Sequence, residues 1–244
     1  MQEWSGVVMR MRKKPNLEHR LEQCAAVLAE NPERNRGCWL EKYGQYQHLY
    51  LEIGCGKGKF TVETAKNNPD ILFAAVEKVQ SALVMAMERA QRAGVGNIVF
   101  LDWDAADIAS VFAPGEVERI YLNFCDPWPK SRDAKFRLTA PSFLRSYADI
   151  LAPGGVICFK TDNTPLFDWS VGVLKEEGWQ INAVTNNLHQ DGPQGVMTDY
   201  EERFYQQGIP INRLEAVKTA AVKTGADGKP PRLRNAALSD ARNC

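Results

Sequence analysis

The stretch His48-Leu49-Tyr50-Leu51-Glu52-Ile53 reads as a strand and runs straight into Gly54-Cys55-Gly56-Lys57-Gly58-Lys59-Phe60. A helical pattern follows to residue 68. Strand, glycine turn, helix is the opening unit of a Rossmann-like sheet. Glycine permits positive φ and lets a ligand approach the backbone closely. The spacing narrows the choice of ligand. A dinucleotide turn is G-x-G-x-x-G, and its third glycine would fall where this chain has Lys59. Here the pattern is Glu-x-Gly-x-Gly-x-Gly, led by an acid. Gly54, Gly56 and Gly58 are the candidate cradle for a cofactor.

The alternation of strand and helix continues, which predicts an α/β fold. Ile71-Leu72-Phe73-Ala74-Ala75-Val76 is a second strand ending in Glu77. A helix over 79–93 follows, with Ala82, Leu83, Ala86, Met87 and Ala90 on one face, and that face is core. A third strand over 97–101 leads to Asp102, Asp104 and Asp107. A fourth, 117–122, leads to Asn123-Phe124-Cys125-Asp126-Pro127-Trp128-Pro129-Lys130. A helix is expected over 139–150, a turn over 151–155, a fifth strand over 156–162 and a helix over 165–177. The segments 179–185 and 202–206 read as a terminal antiparallel pair.

In an open α/β sheet, ligands bind outside the carboxyl ends of the strands. Glu52, Glu77, the 102–107 acids, Asp126 and Asp162 all fall at such ends. One acid there is a commonplace solvated residue. Five on one rim suit a ligand rich in donors and carrying positive charge. Glu77 stands where a ribose diol is bound. Asp102, Asp104 and Asp107 compete for an adenine amine, and one of them is expected to be a helix N-cap. S-adenosylmethionine offers an amino group, a ribose, an adenine amine and a sulfonium. A pyrophosphate would be repelled by the same acids.

The loop after the fourth strand is unusual. Pro127 and Pro129 lack N–H donors and fix φ, so the segment continues neither sheet nor helix. A rigid, extended loop is expected, with a carboxylate at its base and a ring at its tip. The plain alternative is a structural turn around a packed Trp. The bases that follow, Lys130, Arg132, Lys135 and Arg137, with an aromatic beside them, suit a phosphate backbone and a stacked base. Met9-Arg10-Met11-Arg12-Lys13-Lys14 is either a solvated tail or a second phosphate-binding arm.

Composition sets bounds. The formal net charge is +0, so any basic footprint is local. The six cysteines include no C-x-x-C, and with three histidines no zinc site is expected. Cys55, Cys125 and Cys158 read as buried thiols of a reducing, cytoplasmic protein. No signal peptide or membrane span is read. Three regions are expected: a basic arm and helix over 1–47, the helix itself at 17–30; a catalytic domain over 48–217; and a disordered basic tail over 218–244.

The chain resembles the bacterial tRNA (guanine-N7-)-methyltransferase family. The resemblance rests on Leu51-Glu52-Ile53-Gly54-Cys55-Gly56-Lys57-Gly58, on Asn123 to Lys130, and on Thr198-Asp199-Tyr200-Glu201, in that order. Met9-Arg10-Met11-Arg12 and Ile211-Asn212-Arg213-Leu214-Glu215-Ala216 match as well. It implies a Rossmann-like class I S-adenosylmethionine-dependent methyltransferase, with a seven-stranded, mostly parallel sheet and one antiparallel strand. It implies methyl transfer to N7 of guanine at tRNA position 46, in the variable loop, by a monomer or homodimer. Glu52, Glu77, Asp104 and Asp126 would contact the cofactor, with Asp126 the catalytic candidate. Lys130, Asp162, Thr198, Asp199, Tyr200 and Glu201 would contact tRNA, joined by Arg132, Lys135 and Arg137 of the basic run. The chain departs from the family at Asp133, usually His, and at Phe136, usually a base. Two rivals are an amine- or other base-methylating enzyme and a non-catalytic RNA-binding module. The basic cluster argues against a small substrate, and the acid rim against mere binding.

Overall fold

A computed structural model describes residues 16–225 and 230–232; the basic run at 9–14 and most of the expected tail lie outside them. Seven strands form one sheet: β1 (His48–Ile53), β2 (Ile71–Val76), β3 (Ile98–Leu101), β4 (Val117–Asn123), β5 (Leu151–Thr161), β6 (Gln180–Thr185) and β7 (Asn212–Val217). Their order is β3-β2-β1-β4-β5-β7-β6. The first five are mutually parallel, and β7 runs antiparallel to both neighbours. The expected class I architecture is present, antiparallel strand included.

Two helical layers cover the sheet. On one face lie α1 (Leu17–Gln23), α3 (Lys59–Asn67) and α4 (Gln80–Ala93). On the other lie α5 (Ile108–Val111), α6 (Pro141–Ile150) and α7 (Thr164–Glu176), with Trp39 of the short α2 (Trp39–Lys42). Strand β2 is buried at every position, which is why it reads as an unbroken apolar run. Strand order reverses between β1 and β4, so their carboxyl ends open on one crevice. The glycine turn leaves β1 there, and the Asp-Pro-Trp-Pro loop leaves β4 beside it.

Four expectations change. The helix over 17–30 stops at Gln23, and Leu28 instead bridges to Phe100, adding to the sheet edge beside β3. The apolar spacing reported burial correctly, but the backbone serves the sheet. The turn over 151–155 is the start of β5, where Gly154 (φ 75°) sits opposite a register shift in β4. The segment 202–206 is not a strand but part of α8 (Asp199–Gln206); the antiparallel partner of β6 is β7. Phe204 and Tyr205 favour strand by propensity, yet Thr198 and Glu201 form a capping box that commits the segment to helix. Finally, residues 218–225 pack on the domain. Lys218 Nζ donates to Leu151 O at 2.6 Å, Lys223 N donates to Glu177 O at 3.1 Å, and Val222 is buried.

Candidate active site

Gly54, Gly56 and Gly58 all have positive φ. A Cβ at Gly54 or Gly56 would project into open space, so those two leave room for a ligand. Gly58 serves packing instead. A Cβ there would lie 2.6 Å from Ala86 Cβ, so its glycine lets α3 approach α4. The turn is held from β2. Glu77 accepts from Gly56 N at 3.0 Å with one carboxylate oxygen and from Val79 N at 2.9 Å with the other. Burial pushes the Glu77 carboxyl above its usual range, and those backbone N–H donors oppose the shift. Each oxygen keeps a second lone pair for a hydroxyl donor such as a ribose diol.

Glu52 proves to be a brace rather than an exposed rim acid. It is 2% exposed and accepts from Thr61 Oγ1 of α3 and from Asn123 Nδ2 of β4, the latter at 2.9 Å. It thereby ties the exits of β1 and β4 together. Burial raises its pKa, and those two hydrogen bonds pull it back. The acids after β3 divide. Asp104 is the N-cap, accepting from Ala106 N at 3.0 Å, with Lys78 Nζ 3.7 Å from its other oxygen. Asp102 accepts from Gln80 Nε2 at 2.7 Å, and Asp107 pairs with Arg232.

The loop after β4 is bent, not extended. Phe124 (φ 52°) and Trp128 (φ 43°) both occupy the left-handed region, where bulky residues are strained. Phe124 N donates to Lys160 O at 2.9 Å, and its ring packs on Phe204. Trp128 packs on Phe136 with ring centroids 5.5 Å apart. Arg137, expected to face phosphate, is instead half-buried, with Nε donating to Pro127 O at 2.9 Å and Nη2 to Trp128 O at 3.0 Å. Burial lowers its pKa. Asp126, Lys130, Arg132 and Lys135 are exposed. The Cys125 thiol is pushed up to about 12, first by burial and then by Asp126, so it stays protonated and is no nucleophile.

The third motif is largely internal. Thr198 Oγ1 accepts from Glu201 N at 3.0 Å, and Glu201 Oε2 accepts from Thr198 N at 3.1 Å. Glu201 is fully buried, 2.6 Å from Lys160 Nζ and 3.1 Å from His189 Nε2. Because His189 Nδ1 accepts from Gln194 N, its Nε2 carries the proton donated to Glu201. Asp199 binds the Arg89 guanidinium at 3.0 and 3.2 Å. Tyr200 remains exposed, as does Asp162 at the end of β5.

The adjacent exits of β2, β1 and β4 bring Glu77, the turn of Gly54 and Gly56, and the Asp126 loop to one end of the sheet, with Asp104 and Asp162 just beyond the flanking strands β3 and β5. That end does not gather Thr198, Glu201 or Arg137 as free groups. Lys160, His189, Thr61 and Trp169 went unnoticed in the sequence. The capping box was legible as Thr-x-x-Glu; the other residues carry no local signal. Among the described residues no helix is long and apolar enough to cross a membrane, and no cluster of His, Cys, Asp and Glu suits a metal ion.

Comparison with known proteins places this geometry. A family model described as "Putative methyltransferase" matches residues 46–214. A protein of Lachnoclostridium phytofermentans named tRNA (guanine-N(7)-)-methyltransferase is 42% identical over 212 residues, covering 86% of this chain and 99% of that one. Another of that name from Geobacillus kaustophilus is 44% identical over 211 residues, covering 86% and 97%. Among solved structures, the 16S rRNA methyltransferase KamB aligns with a TM-score of 0.58 at 18% identity, over 75% of this chain and 94% of that one. A 16S rRNA (adenine(1408)-N(1))-methyltransferase with cosubstrate SAM, from Catenulisporales acidiphilia, aligns with a TM-score of 0.56 at 16% identity, over 78% and 92%. These two likenesses concern the fold alone.

Proposed function

The chain belongs to the tRNA (guanine-N7-)-methyltransferase family and methylates N7 of a guanine in tRNA with S-adenosylmethionine as donor; we propose that the target is position 46 in the variable loop and that Asp126 is the catalytic residue. The single observation that carries the site assignment is the adjacency of two exits: the glycine turn after β1 and the Asp126 loop after β4 open on one crevice. The cofactor fits it. Gly54 and Gly56 leave open space where side chains would intrude, and Glu77 has lone pairs to spare for a diol. Glu77, the backbone of Gly54 and Gly56, and the Asp104 oxygen that faces Lys78 would hold S-adenosylmethionine.

When bound, the cofactor supplies an electrophilic methyl group on a sulfonium. Guanine N7 has an in-plane lone pair and no proton, so the protein needs no general base. Its work is positioning and charge. The guanine ring becomes cationic as N7 is methylated. The Asp126 carboxylate either stabilises that charge or accepts hydrogen bonds from N1 and N2 of the base. Lys130, Arg132 and Lys135 remain available for phosphates, and Tyr200 offers an exposed ring for stacking. Glu52, Thr198 and Glu201 act by holding these elements in place. The enzyme works in the cytoplasm, as a monomer or homodimer.

The test is methyl transfer to unmodified tRNA, with the methylated nucleoside and its position identified by mass spectrometry of nuclease fragments. 7-Methylguanosine at position 46 is the expected product. Methyl on another atom would overturn the reaction, and 7-methylguanosine elsewhere would overturn the position.

A further inference from the structure

We propose that Arg137 is a positioning residue that holds the Asp126 loop in its bent form, and that Trp169 is its backstop. The inference rests on the reading of this loop as the site of methyl transfer. Trp128 holds a left-handed conformation, and the prolines on both sides offer no N–H groups to anchor the segment. Strain of this kind persists only where the surroundings over-determine it. The carbonyls of Pro127 and Trp128 are the groups that surroundings can grip, and both are gripped by the same guanidinium, at 2.9 and 3.0 Å. That guanidinium lies 4.4 Å from the Trp169 ring centre on α7. The loop is thus anchored through Arg137 to a helix whose Leu166 and Phe167 sit in the main core. On its other side, Trp128 leans on Phe136.

Arginine is suited to this and lysine is not. The two carbonyls take parallel N–H donors from one planar fork, and the flat cation stacks on an indole. A phosphate contact has neither requirement. The basic run after the loop therefore divides by role. Arg137 faces inward and fixes where the Asp126 carboxylate stands, while Lys130, Arg132 and Lys135 face the nucleic acid.

Two readouts test this on the full chain, and the first needs no substrate. Trypsin cleavage after Lys130 and Arg132, followed by mass spectrometry, reports release of the loop. Cleavage at these bonds should be about tenfold faster in Arg137→Lys than in the wild type, because one lost anchor of ~1.4 kcal/mol is a tenfold change in open population. Unchanged cleavage overturns the proposal. The second readout is steady-state kinetics on tRNA across a salt series. Arg137→Lys and Arg137→Ala should both lose about 10²-fold in kcat, with KM for tRNA and its salt dependence unchanged. Arg132→Ala should instead raise KM and flatten the salt dependence. If Arg137→Lys keeps its kcat, or if both variants behave like Arg132→Ala, Arg137 is a phosphate contact. Binding of S-adenosylhomocysteine, measured by calorimetry, should be retained by Arg137→Lys; its loss would make the residue a general structural support. Faster cleavage in the variant with no methyl transfer by the wild type would tell against the assigned reaction and leave the anchor standing.

Discussion

Lys160 and Glu201 form an ion pair at 2.6 Å with almost no solvent access to either side chain. The pair joins β5 to the N-terminus of α8, and it stands directly behind the loop after β4, because the Lys160 carbonyl holds Phe124 N. Burial pushes the Lys160 pKa down and Glu201 pushes it back up. Removing either partner strands a buried charge.

Glu201→Gln or Lys160→Met should therefore each cost about 3–5 kcal/mol in chemical denaturation, the usual penalty for breaking one side of a buried pair. The double variant Lys160→Met with Glu201→Leu should recover at least half of that loss, since two apolar groups leave no charge unpaired. Additive losses in the double variant would show that the two residues act independently.

The glycine turn predicts a separation of effects. Gly58→Ala puts a Cβ within 2.6 Å of Ala86 Cβ and 2.9 Å of Ala86 Cα, at a φ of 74°. It should cost roughly 2–4 kcal/mol in stability from strain and overpacking. Gly56→Ala meets nothing and should cost only about 1–2 kcal/mol of left-handed strain. Its Cβ nonetheless fills the hollow, so affinity for S-adenosylhomocysteine should fall by about tenfold or more, ~1.4 kcal/mol. Calorimetry and denaturant melts on both variants separate the two roles. A Gly56→Ala protein that binds normally would remove the turn from the cofactor site.

Glu52 predicts a pH effect of defined sign. Its folded pKa is raised above the ordinary value of 4.5, chiefly by burial, so the folded state holds the proton more tightly than the unfolded chain. Stability from this group is fully present below pH 4.5 and declines as pH rises from there through the raised folded value. Glu52→Gln removes that decline. Its amide can meet both partners, since the Thr61 hydroxyl also accepts and the buried Asn123 Oδ1 has no partner. Denaturation midpoints should then converge for variant and wild type near pH 4, with the variant gaining at pH 7. A variant that loses stability in parallel at every pH would show that charge is not what distinguishes Glu52.

What the sequence made legible follows from local physics. Strand β2 declared itself because both faces are covered, and the glycine turn because only glycine takes three positive φ values so closely spaced. The loop after β4 was visible through its prolines, but its bend was not, since nothing in Phe124 or Trp128 advertises a left-handed backbone. Nor does a base in a basic run say whether it turns inward, so Arg137 read like Arg132. Lys160 and His189 were out of reach for another reason. Their partner Glu201 is 41 and 12 residues away, and a buried charge is recognised only once its counter-charge is seen beside it. The α8 cap is written in Thr198-x-x-Glu201, while Phe204 and Tyr205 lend the same segment strand-like propensity.

Asp126 carries the sharpest prediction. Its carboxylate is exposed at the mouth of the crevice, whereas Glu77 and Glu52 are engaged by the fold itself. Asp126→Ala should cut turnover by about 10²–10³-fold, the scale on which preorganised charge acts in a site. Affinity for S-adenosylhomocysteine should change far less if, as proposed, the glycine turn and Glu77 hold that ligand. Equal losses in both would assign Asp126 to the cofactor alone. Asp126→Asn then divides the two ways in which the residue could serve the base. The amide keeps the shape and one acceptor but loses the charge. If the carboxylate stabilises the cationic ring, the Asn variant should be as slow as the Ala variant. If it orients guanine through N1 and N2, the Asn variant keeps one of the two acceptors and sets its NH2 against the other donor, so it should regain part of the rate over the Ala variant and raise KM for tRNA.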